Sequence, residues 1–193
     1  MHNAKIDDYV EGASGRVGDF TLEELQGLDI GSRVGPQWKG TRIPTVDEIF
    51  ELCEGKCGIY LDLKEPKALP ALAEKVRQYG MERDVLWYGP IYMLRVLKEF
   101  QQSHPEFIVM PDPITEQGIA RLVKELHPRV IAATWDDYSQ GFVEKCHAAE
   151  ALVIVDESDP SCWKAAIAWG SDGIQTDHPA ELIELLKQRE SGE

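Results

Sequence analysis

The sequence lacks a long apolar segment and any excess of positive charge. No apolar run approaches the roughly 18 to 20 residues that a helix needs to cross a bilayer. The 193 residues include 34 acidic and 20 basic side chains, which gives a formal net charge of −14. Because so acidic a protein repels phosphate backbones, the composition argues against a nucleic-acid partner. An anionic substrate then needs a local cation, either a metal ion or a positioned lysine or arginine.

Cysteine is also scarce, and no disulfide framework is expected from four cysteines in a chain of this length. Cys53 and Cys57 lack the second pair or the histidine spacing that completes a zinc site. Free thiols predict a reducing, cytoplasmic setting. Residues 1–8 are polar and acidic, which is not the pattern of a signal peptide.

From residue 57 onward, short apolar runs alternate with amphipathic segments. The runs are continuous rather than alternating, which is typical of strands covered on both faces in a parallel sheet. The segments between them have helical spacing, as in Ile119, Leu122, Val123 and Leu126. The predicted strands are residues 58–63, 84–88, 107–110, 130–134, 151–155 and 173–176.

The part of the chain before residue 57 has a different pattern. Thr21–Glu24 and Thr45–Glu48 are capping boxes, and each predicts a short helix, over 22–28 and 46–53. A loop rich in glycine, proline and arginine lies between them. We therefore expect one domain over 1–193, in which a loop and short-helix insertion (1–56) precedes the strand–helix repeats (57–193).

Alternating strands and helices predict an α/β fold with a parallel sheet. No G-x-G-x-x-G or Walker A motif follows a strand, which favours a TIM-type (β/α) barrel over a doubly wound sheet. Such barrels run to about 250 residues, so the chain is about two units short and holds about six of eight strand–helix units. The barrel is thus expected to be N-terminally incomplete.

An open barrel leaves unpaired edges at residues 58–63 and 173–176. We expect a marginally stable, association-prone protein, or a homo-oligomer that covers those edges. The alternative is a strand within residues 1–20 that partly closes the sheet.

Candidate functional residues lie at the carboxyl ends of the strands, where function collects in parallel α/β folds. Asp62 and Lys64 are two residues apart, so on a strand they point to the same face. They form either a simple salt bridge or a pair that binds a metal or a phosphate. Trp87, Tyr88 and Trp135 either wall a substrate pocket or pack in the interior.

Five short segments in order along the chain carry a further signal. They are Met1-His2-Asn3 with a glycine-rich loop to Asp19, residues 21–31, residues 42–48, Tyr60-Leu61-Asp62-Leu63-Lys64, and residues 173–179. Together they resemble the motifs of the glycerophosphodiester phosphodiesterase family. The resemblance runs nearly end to end, with Asp62 in place of the family's glutamate in its Glu-x-Lys strand.

The resemblance implies a TIM-type barrel that hydrolyses glycerophosphodiesters to an alcohol and glycerol 3-phosphate. It implies a divalent cation, Mg²⁺ or Ca²⁺, with Asp62 as a metal ligand. His2 matches the candidate general acid for the leaving alcohol, and Lys64 matches the lysine near the phosphate. Tyr88 and Trp135 are then the candidate substrate-binding aromatics.

Two departures from the family pattern limit this prediction. The His-Arg-Gly and Glu-x-Asp motifs of the family's opening strands occur nowhere in the sequence. Their absence removes one histidine, an arginine and two expected metal ligands. Two hypotheses remain: an impaired phosphodiesterase whose N-terminal part is missing, or a non-catalytic barrel remnant that binds a phosphorylated ligand or serves in assembly.

Overall fold

The structure is a computed structural model that describes residues 2–191. The chain divides into two compact units, Met1–Cys53 and Glu54–Glu193. This boundary lies three residues before the predicted one, and the expectation of a single domain over 1–193 stays a prediction. Met1 of the first motif lies outside the described residues.

The first unit contains two short helices, α1 (Leu22–Gln26) and α2 (Val46–Cys53). Both predicted capping boxes form: the Thr21 hydroxyl accepts from the Glu24 N–H, and the Glu24 carboxylate accepts from the Thr21 N–H. Thr45 and Glu48 bond in the same reciprocal way. Helix α1 ends two residues earlier than predicted. Gly27 then shares its N–H between two carbonyls of the last turn, as frayed helix ends do.

The N-terminal segment does not supply the strand that the sequence left open as an alternative. Between residues 2 and 20 the described backbone holds one isolated antiparallel bridge, which joins Lys5 and Arg16. This segment also contains two single 3₁₀ turns, Ile6–Asp8 and Val17–Asp19, joined by turns and irregular backbone.

The second unit repeats the predicted strand–helix pattern in full. Each helix packs a stripe of apolar residues inward; in α5, for example, Ile119, Leu122 and Leu126 are buried. The strands are β1 Ile59–Asp62, β2 Val85–Pro90, β3 Ile108–Asp112, β4 Val130–Thr134, β5 Leu152–Asp156 and β6 Gly173–Gln175. The helices are α3 Leu69–Gln78, α4 Leu94–Ser103, α5 Ile119–Leu126, α6 Gln140–Ala148, α7 Trp163–Trp169 and α8 Pro179–Ser191.

The six strands form two three-stranded sheets of parallel strands, here called ladders, rather than one continuous sheet. The strand order is β1-β2-β3 in one ladder and β4-β5-β6 in the other. Strands β3 and β4 lie side by side, and Met110 packs in the same buried cluster as Val130 and Ala132. The two ladders therefore share one interior. Strands β1 and β6 end the ladders, which are the two edges predicted from the sequence.

Side chains on successive strand residues face two different layers. Val130 and Ala132 face the interior between the ladders, whereas Ile131 and Ala133 pack with Phe142 of helix α6. This alternation is the arrangement of a (β/α) barrel, in which strands are covered by helices outside and by one another's side chains inside. None of the helices among residues 2–191 has the length and apolar character required to span a membrane.

Candidate active site

The carboxyl ends of all six strands contribute to one small internal cavity of about 20 Å³. This volume is about that of one water molecule. The cavity is lined by Tyr60, Tyr88, Asp112, Ala132, Ala133, Thr134, Ile154, Asp156 and Gln175. The fold thus brings polar groups distant in the sequence to the barrel end at which function collects.

Asp62 and Lys64 lie at this end of β1. Asp62 shares a strand face with Tyr60, which lines the cavity. Leu63, between Asp62 and Lys64, is buried. Lys64 Nζ lies 2.5 Å from Asp62 Oδ2. The side chains are 47% and 34% exposed, so the pair is in reach of a ligand arriving from solvent. The predicted salt bridge is present, and its use for metal or phosphate stays a prediction.

Tyr88 sits beside Asp62 in the β1–β2 register. Its ring stacks on Tyr60 with centroids 5.3 Å apart, and its hydroxyl donates to Asp112 Oδ2 over 3.1 Å. Partial burial, and then the nearby Asp112 carboxyl, raise the pKa of Tyr88. The phenol therefore stays protonated near neutral pH and serves as a hydrogen-bonding group.

Asp112 lies at a predicted strand end, but sequence reasoning assigned it no role in the site. It is 4% exposed, the one buried charged side chain among residues 2–189, for which burial is described. Burial raises the pKa of Asp112, against the lowering effect of the hydrogen bonds from Ile114 and Tyr88. The available signal was an acidic residue closing an apolar strand, between Pro111 and Pro113.

The two tryptophans pack in the outer layer between strands and helices. Trp87 is 1% exposed and lies against Phe100 and Phe107, with ring centroids 4.7 and 5.1 Å away. Trp135 stacks on Trp169 at 5.5 Å. The packing alternative describes both rings. A substrate contact of Trp135 stays a prediction.

A second hollow, of about 160 Å³, lies at the carboxyl ends of β5 and β6. Its acidic side chains are Asp156, Glu157, Asp159 and Asp177. Glu157 is engaged there, because it accepts from the Thr176 hydroxyl at 2.5 Å and from the Trp163 indole N–H. So many carboxylates make this hollow unsuited to a phosphate group.

His2 belongs to the first unit and is exposed. Its Nδ1 lies 2.8 Å from Oδ1 of Asn3, whose backbone N–H donates to the Tyr9 hydroxyl at 2.5 Å. The role of His2 as general acid stays a prediction.

The sequence matches one protein family and several relatives. The model of the glycerophosphoryl diester phosphodiesterase family matches residues 1–181. A glycerophosphodiester phosphodiesterase of Caldanaerobacter subterraneus subsp. tengcongensis is 29% identical over 97% of this chain and 79% of that protein. YhdW of Bacillus subtilis (strain 168) is 41% identical over 78 residues, a match that spans 40% of this chain and 32% of that relative.

Solved structures show the same fold. A phosphodiesterase of Oleispira antarctica, in complex with the product sn-glycerol 3-phosphate, matches with a TM-score of 0.85 at 21% identity. The match covers 97% of this chain and 78% of that chain. A protein of Galdieria sulphuraria matches with a TM-score of 0.80 at 20% identity, covering 97% and 78%. The predicted incomplete TIM-type barrel is confirmed.

The chain belongs to the glycerophosphoryl diester phosphodiesterase family. The class predicted from its motifs, a phosphoric diester hydrolase, is thereby confirmed at the level of the family.

Enzymes of this family generally use a divalent cation, but the side chains present here do not fit one. Mg²⁺ and Ca²⁺ take about six to eight oxygen ligands. Across residues 2–191, no three His, Cys, Asp or Glu side chains are grouped so as to hold a metal ion. Asp62 is paired with Lys64, and Asp112 accepts a hydrogen bond on each oxygen. The role of Asp62 as a metal ligand stays a prediction that this geometry does not support.

Proposed function

We propose that this chain binds glycerophosphodiesters and hydrolyses them to an alcohol and glycerol 3-phosphate. The observation that carries the proposal is the Asp62–Lys64 pair at the carboxyl end of β1, where both side chains remain partly exposed. The product bound to the Oleispira antarctica relative supports the same chemical class of ligand.

Lys64 supplies the cation that a phosphodiester requires. The monoanionic phosphate repels an incoming nucleophile unless its charge is offset. Asp62 holds the lysine ammonium at the rim, where half of the side chain remains in contact with solvent. A phosphate oxygen approaching this rim gains a charge-assisted hydrogen bond, which is shorter and stronger than a neutral one.

In the reaction, water attacks phosphorus and the bond from phosphorus to the alcohol oxygen breaks. One water proton stays on the phosphate product, and the other is released to solvent, from which the general acid regains the proton that it gives up. The leaving alcohol takes up one proton, and we assign its delivery to His2 on the basis of the family motif. The two absent motifs deprive this chain of further charged groups. We therefore infer that its turnover is more than tenfold below that of relatives with the full set.

The test is release of glycerol 3-phosphate from glycerophosphocholine by the purified chain, with Mg²⁺ or Ca²⁺ added. Lys64→Met should lower turnover at least tenfold, because it removes the proposed phosphate contact. Lys67→Met is the matched control, since Lys67 forms a 3.7 Å pair with Glu65 and is 84% exposed. Equal turnover in wild type and Lys64→Met would overturn the proposal.

The second candidate is a non-catalytic protein that binds a phosphorylated ligand. It is favoured by the lack of a group of metal-ligating side chains in the described part of the chain. Binding of sn-glycerol 3-phosphate without turnover under any metal condition would select this alternative.

We further infer that the edges at β1 and β6 promote self-association into a homo-oligomer. Sedimentation of the purified chain as a monomer, together with a high melting temperature in thermal unfolding, would contradict this. A cytoplasmic setting is proposed because Cys57, Cys146 and Cys162 are free thiols, as is usual in reducing compartments.

A further inference from the structure

The backbone after β3 is strained in a way that fixes one carboxyl group. Ile114 adopts φ 65°, a left-handed conformation that is costly for a β-branched residue. In this conformation its N–H donates to Asp112 Oδ1 over 2.6 Å. The strained turn therefore holds the buried Asp112 carboxyl in a single orientation.

The other oxygen of that carboxyl controls the Tyr88 hydroxyl. Asp112 Oδ2 accepts the phenol proton over 3.1 Å. Since a tyrosine hydroxyl carries one proton and two lone pairs, Tyr88 then has only acceptor capacity left to offer. Stacking on Tyr60 at 5.3 Å keeps the ring at the cavity wall.

We propose that Asp112 is a positioning residue that commits the Tyr88 hydroxyl to the acceptor role, so that Tyr88 recognises a ligand hydroxyl group and not a phosphate oxygen. This inference rests on the proposed function, and it divides the site into two parts. Lys64 faces the phosphate at the rim, and Tyr88 receives a hydroxyl of the glycerol group inside.

The surroundings of Tyr88 favour a hydroxyl over an anion. The cavity beside it has room for about one water-sized group, and Asp112 and Asp156 both line it. A phosphate oxygen has no proton for the Tyr88 lone pairs and is repelled by these carboxylates. A hydroxyl group can donate its proton to the Tyr88 lone pair, and because it is uncharged it is not repelled by the carboxylates.

The experiment compares two ligands of the purified 193-residue chain by NMR titration at millimolar concentration. The first is sn-glycerol 3-phosphate, and the second is propyl phosphate, which lacks both hydroxyls. The measured quantity is the ratio of the two dissociation constants. Wild type should prefer the glycerol ligand, and Tyr88→Phe should reduce that preference about threefold to tenfold, the effect of one hydrogen bond.

Asp112→Asn separates positioning from a purely structural role. Its amide oxygen still accepts from the Ile114 N–H, while its NH₂ group now donates to the Tyr88 oxygen. The ring stays in place, but one Tyr88 lone pair is used and the Tyr88 proton is no longer held by residue 112. Tyr88 can then donate to a phosphate oxygen, so the preference for the glycerol ligand should fall. Tyr138→Phe is the matched control, because Tyr138 is a buried tyrosine that bonds Ser171 in the outer layer.

Each result bears on the proposal. An unchanged preference in Asp112→Asn and Tyr88→Phe, with both ligands bound, overturns the inference and leaves the proposed function standing. An equal loss in Tyr138→Phe also overturns it. Failure of wild type to bind either ligand overturns the inference and the phosphate site together.

Discussion

The Asp62–Lys64 pair should matter far more for ligand binding than for folding. Its side chains are 34% and 47% exposed, and ion pairs that water reaches are worth about 0.2–1 kcal/mol of stability. A phosphate that hydrogen-bonds to the lysine ammonium gains about 1.5–3 kcal/mol, the range for hydrogen bonds to charged groups. The second figure corresponds to roughly a tenfold to 150-fold change in affinity.

A double-mutant cycle with Asp62→Asn and Lys64→Met measures both quantities. Urea unfolding followed by circular dichroism gives the coupling free energy, which we expect to be below about 1 kcal/mol. Titration with sn-glycerol 3-phosphate gives the affinity, which should fall at least tenfold in Lys64→Met. A coupling above about 2 kcal/mol with unchanged affinity would refute the reasoning, because the pair would then be structural.

Three further predictions concern other parts of the chain. Trp87 has an indole N–H that is buried without a hydrogen-bond partner among the described residues. Because Trp87→Phe removes this donor, it should lower the free energy of unfolding in urea by less than about 1 kcal/mol. Trp87→Ala removes the whole ring and should lower it by about 3–5 kcal/mol. Hydrogen bonds from the Ser32 hydroxyl and from backbone N–H groups lower the pKa of Asp29 to about 2, so the stability that Asp29 contributes is full above pH 3.8 and is lost as the pH falls toward 2. The amide proton signal of Gly40, which donates to Asp29, should report the pH at which Asp29 titrates, and a titration midpoint near pH 3.8 would contradict the prediction. Alkylation of the native chain should modify exposed Cys57 first and leave Cys146 protected, because Cys146 is buried and its burial raises its pKa to about 12. Equal alkylation rates for the two thiols would contradict this prediction.

The strand–helix order of the second unit was predictable because its central strands, such as β2, β3 and β4, are covered on both faces. Such strands appear in the sequence as short continuous apolar runs, and the intervening helices keep a 3.6-residue period. All six predicted strands overlap the observed ones. The capping boxes at Thr21 and Thr45 were equally legible, since their hydrogen bonds join residues three apart in the chain.

The details of the site were less accessible, because they depend on contacts between distant strands. Asp112 becomes a notable group only through its burial and its bond to Tyr88, which lies on another strand. The stacking of Trp135 on Trp169 similarly depends on how helix α7 packs. The separation of the strands into two ladders involves no feature of the sequence that we can identify.

The most direct test of the phosphate site is a map of amide chemical-shift changes on addition of sn-glycerol 3-phosphate to the isotopically labelled chain. The account predicts that the largest changes fall at Asp62, Lys64 and Tyr88, at one end of the barrel. Changes confined to the outer helices, with these three amides unaffected, would contradict it.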